Sequence, residues 1–216
     1  MAFDQELYDA ILNGKAPLAE AAVGRQLKAG VDPLSMIADT MIPAMDEVGL
    51  RYQEEEFFVP ELMLAGRAMK AAMEPLRPLL ANAGAKPTGV IVAGAVKGDL
   101  HDIGKNLLIA MLEGAGFKVH DVGTDVPPQK FIDAIRTYSP QILCLSALLT
   151  TTMPAMRATI TAIEKEGLRD VVKILVGGAP INNSFAEDIG ADGYGATATD
   201  AVALARKFVA PAVATR

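Results

Sequence analysis

The segment Gly98-Asp99-Leu100-His101-Asp102-Ile103-Gly104-Lys105-Asn106 sets a histidine two residues after one aspartate and directly before another. An imidazole backed by a carboxylate is a competent metal ligand, because the carboxylate fixes the tautomer and raises the basicity of the nitrogen that binds. The same Asp-x-His pair can also be a purely structural contact. A phosphate loop is a poorer reading, since five residues rather than four separate Gly98 from Gly104 and Asn106 stands where a hydroxyl residue is needed. A zinc-protease centre is excluded by the lack of H-E-x-x-H; the other histidine, His120, is nineteen residues on and reads as structural or surface.

Such a histidine needs a scaffold, and the flanking residues supply one. Gly89-Val90-Ile91-Val92-Ala93-Gly94-Ala95-Val96 is a short, β-rich, Gly-bounded run, and apolar residues resume at helical spacing from Asn106 to Leu112. His101 therefore falls at the carboxyl end of a strand, where open α/β sheets bind their ligands. Further strands are expected near 117–122, 141–146, 172–177 and 192–194, with helices near 104–115, 128–138, 152–166, 182–189 and 198–209 between and after them. This alternation predicts a parallel, Rossmann-like sheet of the flavodoxin type. Upstream, helices are expected near 4–13, 16–29, 33–51 and 59–81, with Asp32-Pro33 as N-cap and first helical residue and with Pro75 and Pro78 bending or ending the last. Leu34, Ile37, Met41, Met45 and Val48 recur at three- and four-residue spacing, a bundle pattern. Ala81-Asn82-Ala83-Gly84-Ala85-Lys86-Pro87-Thr88 reads as a small-residue linker, giving a helical domain over 1–85 and an α/β domain over 88–216, with a frayed end at 211–216.

Composition narrows the function. The chain has 216 residues, 51% of them hydrophobic, enough for two cored domains. Its formal charge of −6 and lack of a Lys/Arg run argue against nucleic acid as a partner. No signal peptide or stretch of membrane-spanning length is seen, so a cytoplasmic location and no membrane partner are expected. The single cysteine, Cys144, lies in the apolar run Ile142-Leu143-Cys144-Leu145 and reads as an inert core residue.

Asp99-x-His101-x-x-Gly104, then Ser146-x-Leu148 after the third strand and Gly177-Gly178 after the fourth, together resemble the vitamin B12-binding domain of corrinoid-dependent methyltransferases and methionine synthase. Val48-Gly49, Phe57-Phe58-Val59-Pro60-Glu61-Leu62 and Ala65-Gly66-Arg67-Ala68-Met69-Lys70 resemble the helical cap that precedes it, so the likeness covers nearly the whole chain.

The resemblance implies a four-helix-bundle cap followed by a five-stranded parallel cobalamin-binding domain. It implies a corrinoid bound with its dimethylbenzimidazole displaced and His101 on the cobalt. Asp99 would hold the imidazole, and a hydroxyl residue, Thr152 or its neighbours Thr150 and Thr151, would extend the relay. Ser146, Gly177 and Gly178 would line the nucleotide tail, and Tyr194 and Gly195 join them by position in the fold. Asp102, Ile103, Gly104, Leu148 and Thr150 complete the expected cofactor contacts, and Phe58, or else Phe57, would cover the upper face. The implied activity is that of a free-standing methyl carrier, non-catalytic alone or the corrinoid subunit of a methyltransferase system, with cobalt cycling between cobalt(I) and methyl-cobalt(III). Its implied partners are a substrate-specific methyltransferase, a second methyltransferase using tetrahydrofolate or a thiol, and a reductive activator. A cobalamin-dependent sensor and the B12-binding subunit of a mutase are the alternatives.

Overall fold

In a computed structural model, residues 3–82 and 87–210 are described. Of the expected linker, residues 83–86 lie outside that range, as does the expected frayed end at 211–216. The chain divides into two compact units, Met1–Pro87 with Ala110–Gly116, and Thr88–Ile109 with Phe117–Arg216.

The first unit holds α1 (Gln5–Leu12), α2 (Ala16–Lys28), α3 (Pro33–Met36), α4 (Ile42–Gln53), α5 (Val59–Met73) and α6 (Arg77–Asn82). Asp4 caps α1 by accepting from the Leu7 N–H at 3.0 Å, and Asp32 caps α3 by accepting from the Ser35 N–H at 2.9 Å. The helix expected over 33–51 is interrupted by a π turn at Ile37–Met41, whose extra residue lies beside Pro43. Proline has no N–H for the carbonyl four residues back and its ring crowds that carbonyl, so an ordinary turn is disfavoured there. The helix expected over 59–81 stops at Met73 and restarts at Arg77, with Pro75 in the gap. Met36, Met41, Met45 and Met69 are buried with Leu7, Ile11 and Leu62, which makes these methionines packing residues of the helical core.

The second unit is a five-stranded parallel sheet in the order β2-β1-β3-β4-β5, formed by β1 (Val90–Val96), β2 (Lys118–Val126), β3 (Ile142–Ser146), β4 (Lys173–Gly177) and β5 (Gly193–Gly195). The intervening helices are α7 (Ile103–Gly114), α8 (Pro128–Tyr138), α9 (Met153–Lys165) and α10 (Asn183–Asp188), and α11 (Ala198–Val209) follows β5. This is the flavodoxin-type order, with its switch point between β1 and β3. β1 is buried along almost its whole length, the pattern of a strand covered on both faces. Phe131, Ile135, Met156 and Ile160 pack on Val92, Leu143 and Ile174 to form the core. Cys144, on the opposite face of β3, is also buried, and burial pushes its thiol up to about 12.

Within the sheet, β2 departs from the sequence-based expectation. β2 does not stop near residue 122 but runs on to Val126, with shifts of register that pair Gly94 with Gly123 and Val96 with Val126. Gly123 and Asp125 both have positive φ, 96° and 51°, so the run past Val122 lacks the plain alternation that marks a strand. His120 consequently lies within the strand, its ring stacked on Tyr138 at 3.7 Å between centroids.

Candidate functional site

The loops leaving the carboxyl ends of β1 and β3 meet at Asp99. This side chain is buried (1% exposed), and both of its oxygens are engaged. Oδ2 accepts from the Leu148 N–H at 2.6 Å and from the Thr152 hydroxyl at 2.9 Å, while Oδ1 accepts from the His101 N–H at 3.0 Å. Burial alone would raise the Asp99 carboxyl. The hydrogen bonds from Leu148, Thr152 and His101, with the nearby imidazole, outweigh it and hold the group below its ordinary value. Asp99 is therefore a carboxylate at neutral pH.

His101 stands in front of this carboxylate. Its Nδ1 is 3.5 Å from Asp99 Oδ1, and its side chain is 52% exposed. With Nδ1 toward the carboxylate, Nε2 lies on the other edge of the ring, the arrangement suited to a ligand that binds through Nε2. Leu100 and Ile103 flank the histidine in sequence and are 73% and 63% exposed; Leu148 and Leu149 from the facing loop are 41% and 45% exposed. A single imidazole with four uncovered aliphatic side chains on the two adjoining loops matches a ligand that is broad and apolar around a central metal.

Of the three threonines left open by sequence, Thr152 is the one that is buried and bonded to Asp99, while Thr150 and Thr151 are exposed. Thr152 occupies the cap position of α9 without donating or accepting a capping bond there, so helix capping does not account for its hydroxyl. Asp102 accepts from the Asn106 side chain at 3.1 Å at the start of α7. Gly104 is exposed, and a Cβ added there would meet open space.

The remaining candidates lie along the same edge of the sheet. Ser146 ends β3 in register with Ala95 of β1 and Gly177 of β4, and Gly177 is in register with Gly195 of β5. Tyr194 is half-buried against the core. Two glycines here, Gly178 and Gly195, are also held to glycine by close packing. A Cβ on Gly178 would lie 1.8 Å from the Ala147 carbonyl oxygen, and one on Gly195 would lie 2.8 Å from Ala201 Cβ, so the protein's own packing requires both. Phe58, in the helical unit, is 62% exposed, whereas Phe57 lies under the Arg51 guanidinium at 5.3 Å.

Sequence reasoning passed over several residues here. Lys105 is buried, its ammonium 2.6 Å from Asp121 Oδ2 and 2.9 Å from Asn106 Oδ1, tying α7 to β2. Asp125 accepts from the Gly98 N–H at 2.7 Å. Thr199, in the first turn of α11 just past Gly195, has a buried hydroxyl with no hydrogen-bond partner among the described residues. The Lys105 and Asp125 contacts join residues 16 and 27 apart, beyond any local motif.

Comparison with known proteins gives the same picture. Residues 89–203 match the B12 binding domain, and residues 4–77 match a second B12 binding domain model. The dimethylamine corrinoid protein of Methanosarcina barkeri is 42% identical over 95% of this chain and 97% of its own length. Trimethylamine corrinoid protein 1 of Methanosarcina acetivorans is 39% identical over 92% of this chain and 93% of its own. Among solved structures, the methanol:cobalamin methyltransferase complex MtaBC of Methanosarcina barkeri matches with a TM-score of 0.84 at 30% identity, covering 96% of this chain and 81% of that one.

Proposed function

This chain belongs to the B12-binding domain family, and we propose that it is a corrinoid protein that carries a methyl group from a substrate-specific methyltransferase to a second methyltransferase, with His101 as the protein's ligand to cobalt. The observation that carries the reading is the buried Asp99 carboxylate, bonded by Leu148 and Thr152 and facing the half-exposed His101 ring.

The residues fit the group. His101 offers the nitrogen, the aliphatic side chains at 100, 103, 148 and 149 offer a surface for a corrin face, and the Thr199 hydroxyl offers a partner to a polar substituent of the tail. Asp102, Gly104, Ser146, Thr150, Gly177, Gly178, Tyr194 and Gly195 border the carboxyl end of the same sheet, and Phe58 is an exposed aromatic of the helical unit. Bound there, a corrinoid supplies a cobalt ion that can accept a methyl group and give it up.

The chain's own task is to control the imidazole. With Asp99 ionised, a proton on His101 Nδ1 is favoured and Nε2 is left basic for the metal. The Asp99 carboxylate would hold the ring from its Nδ1 side whether or not Nε2 engages a metal. Thr152 and the Leu148 N–H keep the carboxylate in place in both states, so His101 moves against a fixed anchor. The aliphatic side chains around the ring exclude water from the face they cover.

The methyl donor is set by the first partner rather than by this chain: relatives named for dimethylamine and for trimethylamine match at 42% and 39% identity. The acceptor side is a methyltransferase that uses tetrahydrofolate or a thiol, and a reductive activator restores the carrier after oxidation.

Protein reconstituted with hydroxocobalamin and reduced to cobalt(II) is expected to show electron paramagnetic resonance splitting from one axial nitrogen. Labelling with 15N-histidine should turn that triplet into a doublet, and His101→Ala should abolish it. Failure to retain a corrinoid would sink the carrier reading, and a triplet that persists in the 15N-histidine-labelled protein would remove His101 as ligand.

A further inference from the structure

The backbone on both sides of the Gly98–Asp99 peptide is held from one direction by a single residue of β2. Asp125 Oδ1 accepts from the Gly98 N–H at 2.7 Å, and the Asp125 N–H donates to the Asp99 carbonyl at 2.8 Å. The Asp99 N–H is taken by the Val96 carbonyl at 3.0 Å, so both backbone groups of Asp99 are bonded as well as both carboxylate oxygens.

Asp125 adopts a left-handed backbone conformation, φ 51°, that L-residues other than asparagine and aspartate rarely enter. Two residues earlier, at Gly123 with φ 96°, the same strand meets a similar demand with glycine. Glycine would meet the backbone demand at 125 equally well, and what aspartate adds there is the carboxylate on Gly98.

We infer that Asp125 is a positioning residue for the histidine loop, clamping the backbone at the Gly98 N–H and the Asp99 carbonyl so that the Asp99 carboxylate faces the imidazole of His101. The inference rests on His101 as the cobalt ligand, and its test separates the two. The clamp acts on the backbone that carries the carboxylate. Thr152 and Leu148 act on the carboxylate itself, so the two sets of bonds fix Asp99 at both ends. Asp125 is exposed, and its removal leaves the core of the sheet untouched.

The test compares Asp125→Gly, which keeps the backbone conformation and loses the acceptor, with Asp125→Asn, which keeps both. Amide hydrogen exchange on the cofactor-free chain should show the Gly98 N–H exchanging about tenfold faster in Asp125→Gly and within about threefold of wild type in Asp125→Asn. The Val92 amide, inside β1, should be unchanged in both, which shows the sheet intact. After loading with hydroxocobalamin and reduction, Asp125→Gly should show a smaller fraction of cobalt(II) with the 15N-histidine doublet, and Asp125→Asn the wild-type fraction. Unchanged Gly98 exchange in Asp125→Gly, or an unchanged doublet fraction beside faster exchange, would overturn the inference. Faster Gly98 exchange in a protein whose wild type shows no histidine splitting would support the clamp and overturn His101 as ligand.

Discussion

The Thr152 hydroxyl lies 2.9 Å from Asp99 Oδ2, joining residues 53 positions apart across the switch point of the sheet. The Leu149 carbonyl is also 2.9 Å from that hydroxyl, but a hydroxyl has one proton to give. The ionised carboxylate is the stronger acceptor and takes it.

Thr152→Val should therefore lower unfolding stability by about 1–3 kcal/mol at pH 7, because it removes a donor from a buried charge. Thr152→Ser keeps the hydroxyl and should lose less than half as much. Urea denaturation of the three proteins checks this, and equal losses in both variants would show that the hydroxyl contributes nothing beyond the packing of the side chain.

Gly178→Ala should be among the costliest single-methyl additions in the sheet unit. Its φ of +134° already disfavours a side chain, and the new Cβ would meet the Ala147 carbonyl oxygen at 1.8 Å. Ala147 cannot easily retreat, since its own N–H is bonded to the Gly177 carbonyl at 3.2 Å. A loss of about 3 kcal/mol or more is expected from strain and overpacking together. A thermal midpoint equal to wild type would show that the two strand ends separate freely.

Asp192 links stability to acid. Burial would raise its carboxyl, but the Ile174 N–H and the Lys173 and Arg169 side chains hold it below its ordinary value. A carboxyl depressed in the folded state stabilises the fold above its unfolded value, about 4, and that contribution fades as pH falls from there toward the folded value. Asp192→Asn should thus be less stable than wild type at pH 6, with the gap narrowing below about pH 4. Denaturation midpoints at pH 6, 4 and 3 measure it; a gap that stays constant with pH would assign the loss to the shape of the hydrogen bonds alone.

The spacing of Asp99 and His101, the apolar run ahead of them and the strand-helix alternation after them made the parallel sheet and its ligand-bearing edge legible, because those signals are local. The helical cap was legible from its three- and four-residue periodicity, except where Pro43 forced a π turn and Pro75 opened a gap. β2 past Val122 was not legible, since Gly123 and Asp125 disrupt the alternation by which strands are read. The Lys105 pair with Asp121 was hidden for another reason: a lysine after a glycine looks like any other until the fold buries it against a distant strand. Among Thr150, Thr151 and Thr152, only three-dimensional placement selects the partner of Asp99, since all three are alike in residue type.

The strand order also fixes when the site can come into being. His101 and Asp99 leave the ribosome early, but the groups that hold them arrive later: Asp125 on β2, then Leu148 and Thr152 beyond β3. A nascent chain ending at residue 120 would display the histidine with none of those supports. Because β1 lies between β2 and β3, its loop is completed only once a neighbour has docked on each side. Assembly of the Asp99 contacts is thereby deferred until most of the sheet has been made, and a prematurely truncated product would carry the histidine with nothing behind it.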